Sequence, residues 1–254
     1  MSALDESTLF RLDGRTAIVT GASSGLGDRF ARVLAGAGAT VVAAARRRER
    51  IERLAGEING IAVECDVTDP DGRAHLVEAA LETGRIDVLV NNAGTVNTDR
   101  AEDETPADVE RVIGTNLTAV FALCQAAGRA MLEQGHGSIV NIASVYGLVS
   151  SERERAASYV ASKHGVVGLT RDFAVQWARK GVRVNAIAPG FFRSEMTAAR
   201  IDDERWLEWM RNRVPFGRPG REAELDGALL FLASDASSYV TGAVIPVDGG
   251  MTAA

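Results

Sequence analysis

Seven short apolar runs alternate along the chain with longer stretches of helical periodicity. The runs are Thr16–Thr20, Thr40–Ala44, Ile61–Val63, Asp87–Val90, Ser138–Ile142, Val182–Ala188 and Ala243–Val247. This alternation predicts a parallel sheet covered by helices. The runs are apolar along their length, as expected for strands that are buried on both faces. We therefore predict an α/β fold with a doubly wound parallel sheet of about seven strands and helices on both faces.

Composition places all of this sheet in a single unit. The chain has 254 residues, of which 46% are hydrophobic and 24% charged, and it contains no Pro/Ser-rich linker or repeat. We expect one domain over residues 1–254, since doubly wound sheets of this size often form one unit. The irregular region from about 190 to 220 predicts a substrate lid. Trp206 and Met210 would share one helix face there, and this equally predicts simple packing against the body.

The charge balance and the absence of several patterns exclude other classes of function. A net charge of −6 argues against nucleic-acid binding. The opening residues MSALDESTLF have neither the basic start nor the apolar core of a signal peptide, and no run reaches the roughly 20 apolar residues that a membrane span needs. We expect a cytoplasmic protein with no membrane partner. The sequence has no Cys/His cluster at ligand spacing, so we predict no metal site.

A glycine-rich turn follows the first predicted strand. It reads Thr20-Gly21-Ala22-Ser23-Ser24-Gly25-Leu26-Gly27 and runs into a helical stretch. Glycines allow a tight turn and a close ligand approach, and a helix N-terminus offers free N–H groups to a pyrophosphate. The turn predicts a Rossmann-type dinucleotide site, although its spacing differs from GxGxxG and a plain strand-to-helix turn is the alternative.

The glycine turn and four further motifs, in order, resemble the short-chain dehydrogenase/reductase family. They are Asn91-Asn92-Ala93-Gly94, Asn116, Ser144 and Tyr159-Val160-Ala161-Ser162-Lys163, followed by Pro189-Gly190. The resemblance runs from about Leu12 to the C-terminus. Its later half, especially Arg218–Ala233 and Tyr239–Gly249, resembles 3-oxoacyl-acyl-carrier-protein reductases, while sugar-acid and secondary-alcohol dehydrogenases share the same features.

The resemblance implies a catalytic set of Asn116, Ser144, Tyr159 and Lys163. Tyr159 and Lys163 are four apart and would share a helix face, so the ammonium could favour the phenolate. Tyr159 would exchange a proton with the substrate oxygen, and Lys163 would also hold the nicotinamide ribose. Ser144 would position the carbonyl, and Asn116 would bind a water that links Lys163 to solvent.

The second strand predicts the cofactor. Ala45 stands where an NAD-preferring site carries an acidic residue, and it is followed by Arg46, Arg47 and Arg48. A guanidinium can pair with a 2′-phosphate, so we expect NADP(H), with NAD(H) as the alternative. Arg46 is the candidate for this contact, and Arg47 and Arg48 are interpreted as solvated residues of the next helix.

The remaining cofactor contacts follow from the family's motifs. Asp66 resembles, by its position, the residue with which the family contacts the adenine, and Ser194 stands where the family usually places a threonine. The full predicted set is Gly21, Ser23, Ser24, Gly25, Leu26, Gly27, Arg46, Asp66, Val67, Asn92, Ala93, Gly94, Tyr159, Lys163, Pro189, Gly190, Phe192 and Ser194.

The sequence leaves the substrate open. Tyr159 follows Ser144 by fifteen positions, about two more than usual in the family, and the charged segment Ser151–Arg155 predicts a longer loop beside the site or a solvated bulge. We expect the substrate to be a small-molecule ketone or secondary alcohol, with 3-oxoacyl compounds among the candidates. The alternatives are an NAD-dependent sugar-acid or polyol dehydrogenase and a non-catalytic cofactor sensor. The family also implies a homotetramer.

Overall fold

The computed structural model describes residues 8–151, 155–193, 197 and 203–254. Within these residues seven strands form one sheet in the order β3-β2-β1-β4-β5-β6-β7, and every neighbouring pair is parallel. The strands are β1 Thr16–Thr20, β2 Thr40–Ala45, β3 Ile61–Glu64, β4 Val88–Asn91, β5 Gly137–Ile142, β6 Val182–Pro189 and β7 Val244–Val247. The predicted fold class is confirmed, with each strand found within one residue of its predicted ends.

Helices connect the strands. They are α1 Gly25–Gly36, α2 Arg48–Ile58, α3 Pro70–Leu81, α4 Pro106–Ile113, α5 Ala119–Gln134, α6 Ala157–Trp177, α7 Glu204–Arg213 and α8 Asp226–Ala233. A π-helical segment, Gly114–Thr118, joins α4 to α5. Among the described residues, no helix is both long and apolar enough to span a bilayer.

The sheet buries both of its faces, as its apolar strands require. Ala17 and Val19 of β1 pack into one core with Phe30 and Leu34 of α1. Ile18, between them in sequence, points to the other side and packs into a second core with Leu76 of α3. Because successive strand residues alternate between faces, one strand contributes to both cores.

The order of the strands places a crevice above the middle of the sheet. Chain connections run outward in opposite directions from β1 and β4, which are neighbours. Ligands of open α/β sheets bind at such a switch point, beyond the carboxyl ends of the strands. The glycine turn after β1 and the Asn-Asn-Ala-Gly motif after β4 therefore meet at one place.

Candidate active site

A long cleft of about 910 Å³ lies at the carboxyl ends of the strands. Its walls include nearly all of the residues that the sequence predicts for cofactor and substrate, namely Gly21, Ser23, Ser24, Gly25, Leu26, Gly27, Arg46, Asp66, Val67, Asn92, Ala93, Gly94, Ser144, Tyr159, Lys163, Pro189, Gly190 and Phe192. Asn116 lies behind the wall, fully buried. Ser194 lies outside the described residues.

The glycine turn has a backbone that other residues would not tolerate. Gly21 and Gly25 have φ values of +68° and +53°, in the left-handed region that favours glycine. A Cβ on Gly27 would collide with the Gly21 carbonyl and would come within 2.5 Å of Asn92 Nδ2. The turn therefore delivers the N-terminus of α1 to the cleft with its backbone exposed, as a phosphate site requires.

The Asn-Asn-Ala-Gly motif is locked to the end of β1. Thr20 Oγ1 accepts hydrogen bonds from the backbone N–H groups of Asn92 (3.0 Å) and Ala93 (3.1 Å). Asn92 Nδ2 donates to the Thr20 carbonyl at 2.9 Å. The side chain of Asn92 thus holds the two strand ends together, which supports the adenosine side of the cleft indirectly.

The dinucleotide end of the cleft carries two arginines. Arg46 Nη1 lies 4.0 Å from Asp66 Oδ2, and its side chain is 79% exposed. Arg47 is exposed, as the sequence predicted, but it also lines the cleft and donates to Ser23 Oγ (2.9 Å) and Ser24 Oγ (2.6 Å). This contact was missed because it depends on how β2 lies beside the glycine turn. Arg48 instead pairs with Glu52 within α2.

Asp66 is held for a hydrogen-bonding role at the same end. Its Oδ1 accepts from the backbone N–H of Thr68 (2.9 Å) and from the Thr68 hydroxyl (2.7 Å). These two bonds, against a partial desolvation, lower the pKa of the Asp66 carboxyl below its usual value. An ionised carboxylate therefore faces the cleft, able to accept from an amino group of a ligand.

Tyr159 and Lys163 lie on the first turns of α6, as their spacing predicts. Lys163 Nζ lies 5.6 Å from the centre of the Tyr159 ring and donates to the Ile142 carbonyl at 2.7 Å. Ser144 follows β5, and its Oγ accepts from the Tyr146 backbone N–H at 3.1 Å. Three functional side chains thus converge from two elements on one end of the cleft.

The electrostatics of this pair differ from the expectation. Burial raises the pKa of Tyr159, and a hydrogen bond with Ser144 acts weakly in the opposite direction. Burial also lowers the pKa of Lys163 to about 8. The sequence suggested that the ammonium would lower the pKa of the phenol, but burial dominates at Tyr159, and the group that acts to lower this pKa is Ser144.

Asn116 sits in the π-helical segment and braces the site from behind. Its Oδ1 accepts from the Thr95 backbone N–H at 2.8 Å, and its Nδ2 donates to the Thr95 carbonyl (2.8 Å) and to Ser162 Oγ (3.0 Å). The Ser162 hydroxyl in turn donates to the Tyr159 carbonyl at 2.7 Å. Both amide hydrogens have partners in the protein, and the water relay inferred for Asn116 stays a prediction.

A buried polar network underlies α6. Asn91 Nδ2 donates to Asn141 Oδ1 at 2.9 Å, and Asn141 Nδ2 donates to Thr170 Oγ1 at 2.9 Å. This network ties the ends of β4 and β5 to α6. Buried amides are costly unless they are paired, so the network favours one relative placement of strands and helix.

At the Tyr159 end of the cleft, Tyr159 packs against a cluster of aromatic rings. Phe191 makes edge-to-face contacts with Tyr146, Trp206 and Trp209, with ring centres 6.1, 5.1 and 5.6 Å away. Trp206 is 4% exposed and Met210 is completely buried. The packing interpretation of this helix face is therefore confirmed for those two residues.

Several expectations at this end fall on residues that the structure does not describe. Three charged residues of the lengthened approach to Tyr159, at positions 152–154, lie outside the described residues. The same is true of Met196 and of most positions from 194 to 202. Phe192, by contrast, is 5% exposed, and its carbonyl accepts from Thr197 Oγ1 at 2.6 Å.

A family model described as enoyl-(acyl carrier protein) reductase matches residues 21–252. The chain belongs to the short-chain dehydrogenase/reductase family. A gluconate 5-dehydrogenase from Gluconobacter oxydans (strain 621H) is 42% identical over 96% of this chain and 97% of its own. A 3-oxoacyl-acyl-carrier-protein reductase from Thermotoga maritima is 40% identical over 95% and 99%.

A solved structure gives the same result for the fold. The crystal structure of a gluconate 5-dehydrogenase from Burkholderia cenocepacia J2315, in complex with NADP and tartrate, is 38% identical with a TM-score of 0.92. It covers 97% of this chain and 98% of that one. The chain is accordingly an oxidoreductase acting on CH–OH and C=O groups, like its short-chain dehydrogenase/reductase relatives.

Sequence reasoning missed some residues of this short-chain dehydrogenase/reductase cleft. Arg111 and Thr95 both line it, and Arg111 Nη1 donates to Thr95 Oγ1 at 2.9 Å. Glu110, Gly114 and Thr115 line it as well. Arg111 lies on α4 and has no motif of its own. Its charge in an otherwise acidic segment is a weak signal, because exposed helix arginines are common.

Proposed function

We propose that this protein catalyses the NADP(H)-dependent interconversion of a ketone and a secondary alcohol. The convergence of Ser144, Tyr159 and Lys163 at one end of a cleft that begins at a glycine turn carries the proposal. A cleft of about 910 Å³ falls within the size of typical small-molecule sites. The bare backbone at Gly27, where a Cβ would collide, fits a pyrophosphate.

The chain's own residues supply binding and proton transfer. When bound, the nicotinamide would supply or accept the hydride. Tyr159 would donate its phenolic proton to the carbonyl oxygen during reduction, and the Ser144 hydroxyl would hold that oxygen by a hydrogen bond. Because burial raises the pKa of Tyr159, its phenol is protonated at neutral pH, which is the state that reduction requires.

Lys163 would serve the same step by its charge and its position. With a pKa of about 8, its amine is mainly protonated at pH 7, and it can donate to ribose hydroxyls as well as to the Ile142 carbonyl. In the oxidative direction Tyr159 must lose its proton. We therefore expect oxidation to accelerate as the pH rises towards the raised pKa of Tyr159, and reduction to slow only when the pH exceeds that pKa.

NADP(H) is favoured over NAD(H) by the positive charge at the dinucleotide end. Arg46 and Arg47 both line the cleft there, and Ala45 replaces the acidic residue that would repel a 2′-phosphate. We assign Arg46 and Arg47 to that phosphate, and Asp66 and Val67 to the adenine. The solved gluconate 5-dehydrogenase in complex with NADP supports the choice of NADP(H).

The substrate falls within two classes, 3-oxoacyl thioesters and the ketones of sugar acids or polyols. Relatives named for both are nearly equally similar, at 40% and 42% identity. A panel of β-ketoesters, 3-oxoacyl thioesters, keto-sugars, sugar-acid ketones and steroids, assayed with NADPH and with NADH, decides between them. The class with the highest kcat/KM identifies the substrate.

The same assay tests the catalytic proposal. Tyr159→Phe should lower kcat by at least about a hundredfold while NADPH still binds, because proton transfer contributes that much. Arg46→Asp should reverse the cofactor preference. Equal or better use of NADH by the wild type would reject the NADP(H) assignment, and no turnover with any carbonyl would favour a cofactor sensor.

We also expect a homotetramer, as in the family. Phe121 of α5 and Val175 of α6 are 47% and 81% exposed, and the Phe121 ring contacts Phe173 with centres 5.1 Å apart. An apolar face of this kind suits a second copy of the chain. Light scattering after size exclusion measures the mass, and Val175→Glu should lower it.

A further inference from the structure

The helix that carries Tyr159 lacks a capping residue of its own. Its N-cap is Ala156, which has no side chain able to accept from the first-turn N–H groups. Such groups cost free energy when they are left without partners. Ser158, one residue before Tyr159, is 4% exposed, so water cannot readily take that role.

Glu104 supplies the missing cap from a distant segment. Its Oε1 accepts from the Ser158 hydroxyl at 2.8 Å, and its Oε2 accepts from the Ser158 backbone N–H at 3.2 Å. These atoms belong to residues 54 positions apart. A carboxylate at a helix N-terminus also interacts favourably with the helix dipole.

The position of Glu104 is itself fixed by its own segment. Its backbone N–H donates to the Arg100 carbonyl at 3.0 Å. The next residue, Thr105, caps α4 by accepting from the Asp108 N–H at 3.2 Å. Glu104 is therefore held just before the start of α4, a helix that packs against α6.

A second contact holds the same turn of α6 from the other end of α4. Asn116, just beyond α4, donates to Ser162 Oγ at 3.0 Å, and Ser162 donates to the Tyr159 carbonyl at 2.7 Å. Glu104 before α4 and Asn116 after it thus hold this turn by hydrogen bonds to Ser158 and Ser162, which lie on either side of Tyr159 in the sequence.

We propose that Glu104 is a positioning residue for Tyr159, acting by capping the first turn of α6 in place of Ala156. This rests on the proposed role of Tyr159 as proton donor. Glu104 touches neither substrate nor cofactor in this proposal. Its effect is to keep the phenol at hydrogen-bonding distance from the substrate oxygen, a geometry to which proton transfer is sensitive.

The test compares Glu104→Ala and Glu104→Gln with a matched control, Asp103→Ala, which removes an exposed carboxylate from the same segment. Glu104→Ala should lower kcat about tenfold and leave the KM for NADPH within about twofold, since misplacement affects the chemical step. The isotope effect with 4-deuterated NADPH should rise, because hydride transfer becomes more rate-limiting.

Rescue by the conservative variant separates positioning from a general loss of fold. Glutamine can accept from the Ser158 N–H and pair with its hydroxyl, so Glu104→Gln should recover most of kcat. Ser158→Ala, which keeps the N–H contact, should fall between the wild type and Glu104→Ala. Asp103→Ala should match the wild type in kcat and isotope effect.

Hydrogen exchange gives a readout that does not depend on turnover. Amides of the first turn of α6 should exchange faster in Glu104→Ala than in Asp103→Ala. Wild-type kcat in Glu104→Ala, or a lower kcat with an unchanged isotope effect and no rescue by glutamine, would overturn the proposal. If the wild type reduces no carbonyl, the proposed function fails, while the exchange comparison still decides whether Glu104 caps α6.

Discussion

The two ends of the cleft are built in different ways. The dinucleotide end consists largely of backbone: the glycine turn, the N-terminus of α1 and the Asn-Asn-Ala-Gly motif locked to Thr20. The proposed substrate end consists of side chains that come from separate segments, and Tyr159 there packs against a cluster in which Phe191 contacts Tyr146, Trp206 and Trp209. A site made of backbone tolerates few substitutions at its glycines, whereas a wall of side chains can change its specificity residue by residue.

The largest expected effect lies at the substrate end. Trp206→Ala should lower the free energy of unfolding by about 3–5 kcal/mol, because it empties a buried aromatic site. Trp209→Ala, at a partly exposed ring of the same helix, is the control and should cost less. Urea denaturation measures both. Equal losses would mean that Trp206 is not the packing anchor of this wall.

Lys163 lies where the two ends meet, and its lowered pKa predicts a pH dependence of stability. Its pKa falls from 10.5 to about 8 on folding, so the unfolded chain binds more protons between those pH values. The wild type should therefore gain about 3 kcal/mol in unfolding free energy relative to Lys163→Met as the pH rises from 7 to 10.5. The destabilisation caused by burying the charged Lys163 amine is fully present well below pH 8.

The titration itself can be observed directly, because the chain contains only two lysines, Lys163 and Lys180. NMR of the protein labelled with carbon-13 at lysine, without cofactor, should show one resonance with a midpoint near pH 8. That resonance should be absent from Lys163→Met. Two midpoints near that of free lysine would contradict the burial argument.

At the dinucleotide end, Gly27→Ala should weaken NADPH binding by about thirtyfold, or about 2 kcal/mol. The added Cβ would collide with the Gly21 carbonyl and distort the turn. Gly36→Ala, on the same helix, is the matched control, since a Cβ at Gly36 would meet no atom within 4 Å. Calorimetric titration gives both affinities, and similar values would show that the turn is adaptable.

The smallest effect sharpens the assignment of the arginines. Arg47→Ala should weaken NADPH binding by about tenfold, or about 1.4 kcal/mol, as expected for one charge-assisted contact. NADH binding should change little, because NADH lacks the 2′-phosphate. Arg48→Ala, which removes a residue paired with Glu52 instead, should affect neither cofactor. Equal weakening of both cofactors would place Arg47 at the pyrophosphate.

The sequence predicted the architecture and most of the cleft, because local signals carry them. Strand type follows from apolar runs, and the glycine turn follows from residues that are contiguous in the chain. The i, i+4 spacing likewise placed Tyr159 and Lys163 on one helix face. What these signals could not show is the sign of the Tyr159 pKa shift, since desolvation depends on everything packed around the ring.

Some residues gained a role only from tertiary contacts. Arg47 is exposed, as predicted, and the packing of β2 beside the glycine turn also brings its guanidinium to Ser23 and Ser24. Arg111 and Glu104 belong to no motif, and their partners Thr95 and Ser158 lie far from them along the sequence.

By itself, then, the sequence determined the doubly wound sheet and the glycine turn, which depend on periodicity and short spacing, while the family resemblance pointed to the Tyr159–Lys163 pair. The tertiary structure decided the protonation preference of that pair, the packing of Trp206 and the capping of α6 by Glu104. Those properties arise from contacts between side chains of distant segments, and a local sequence pattern does not predict such contacts.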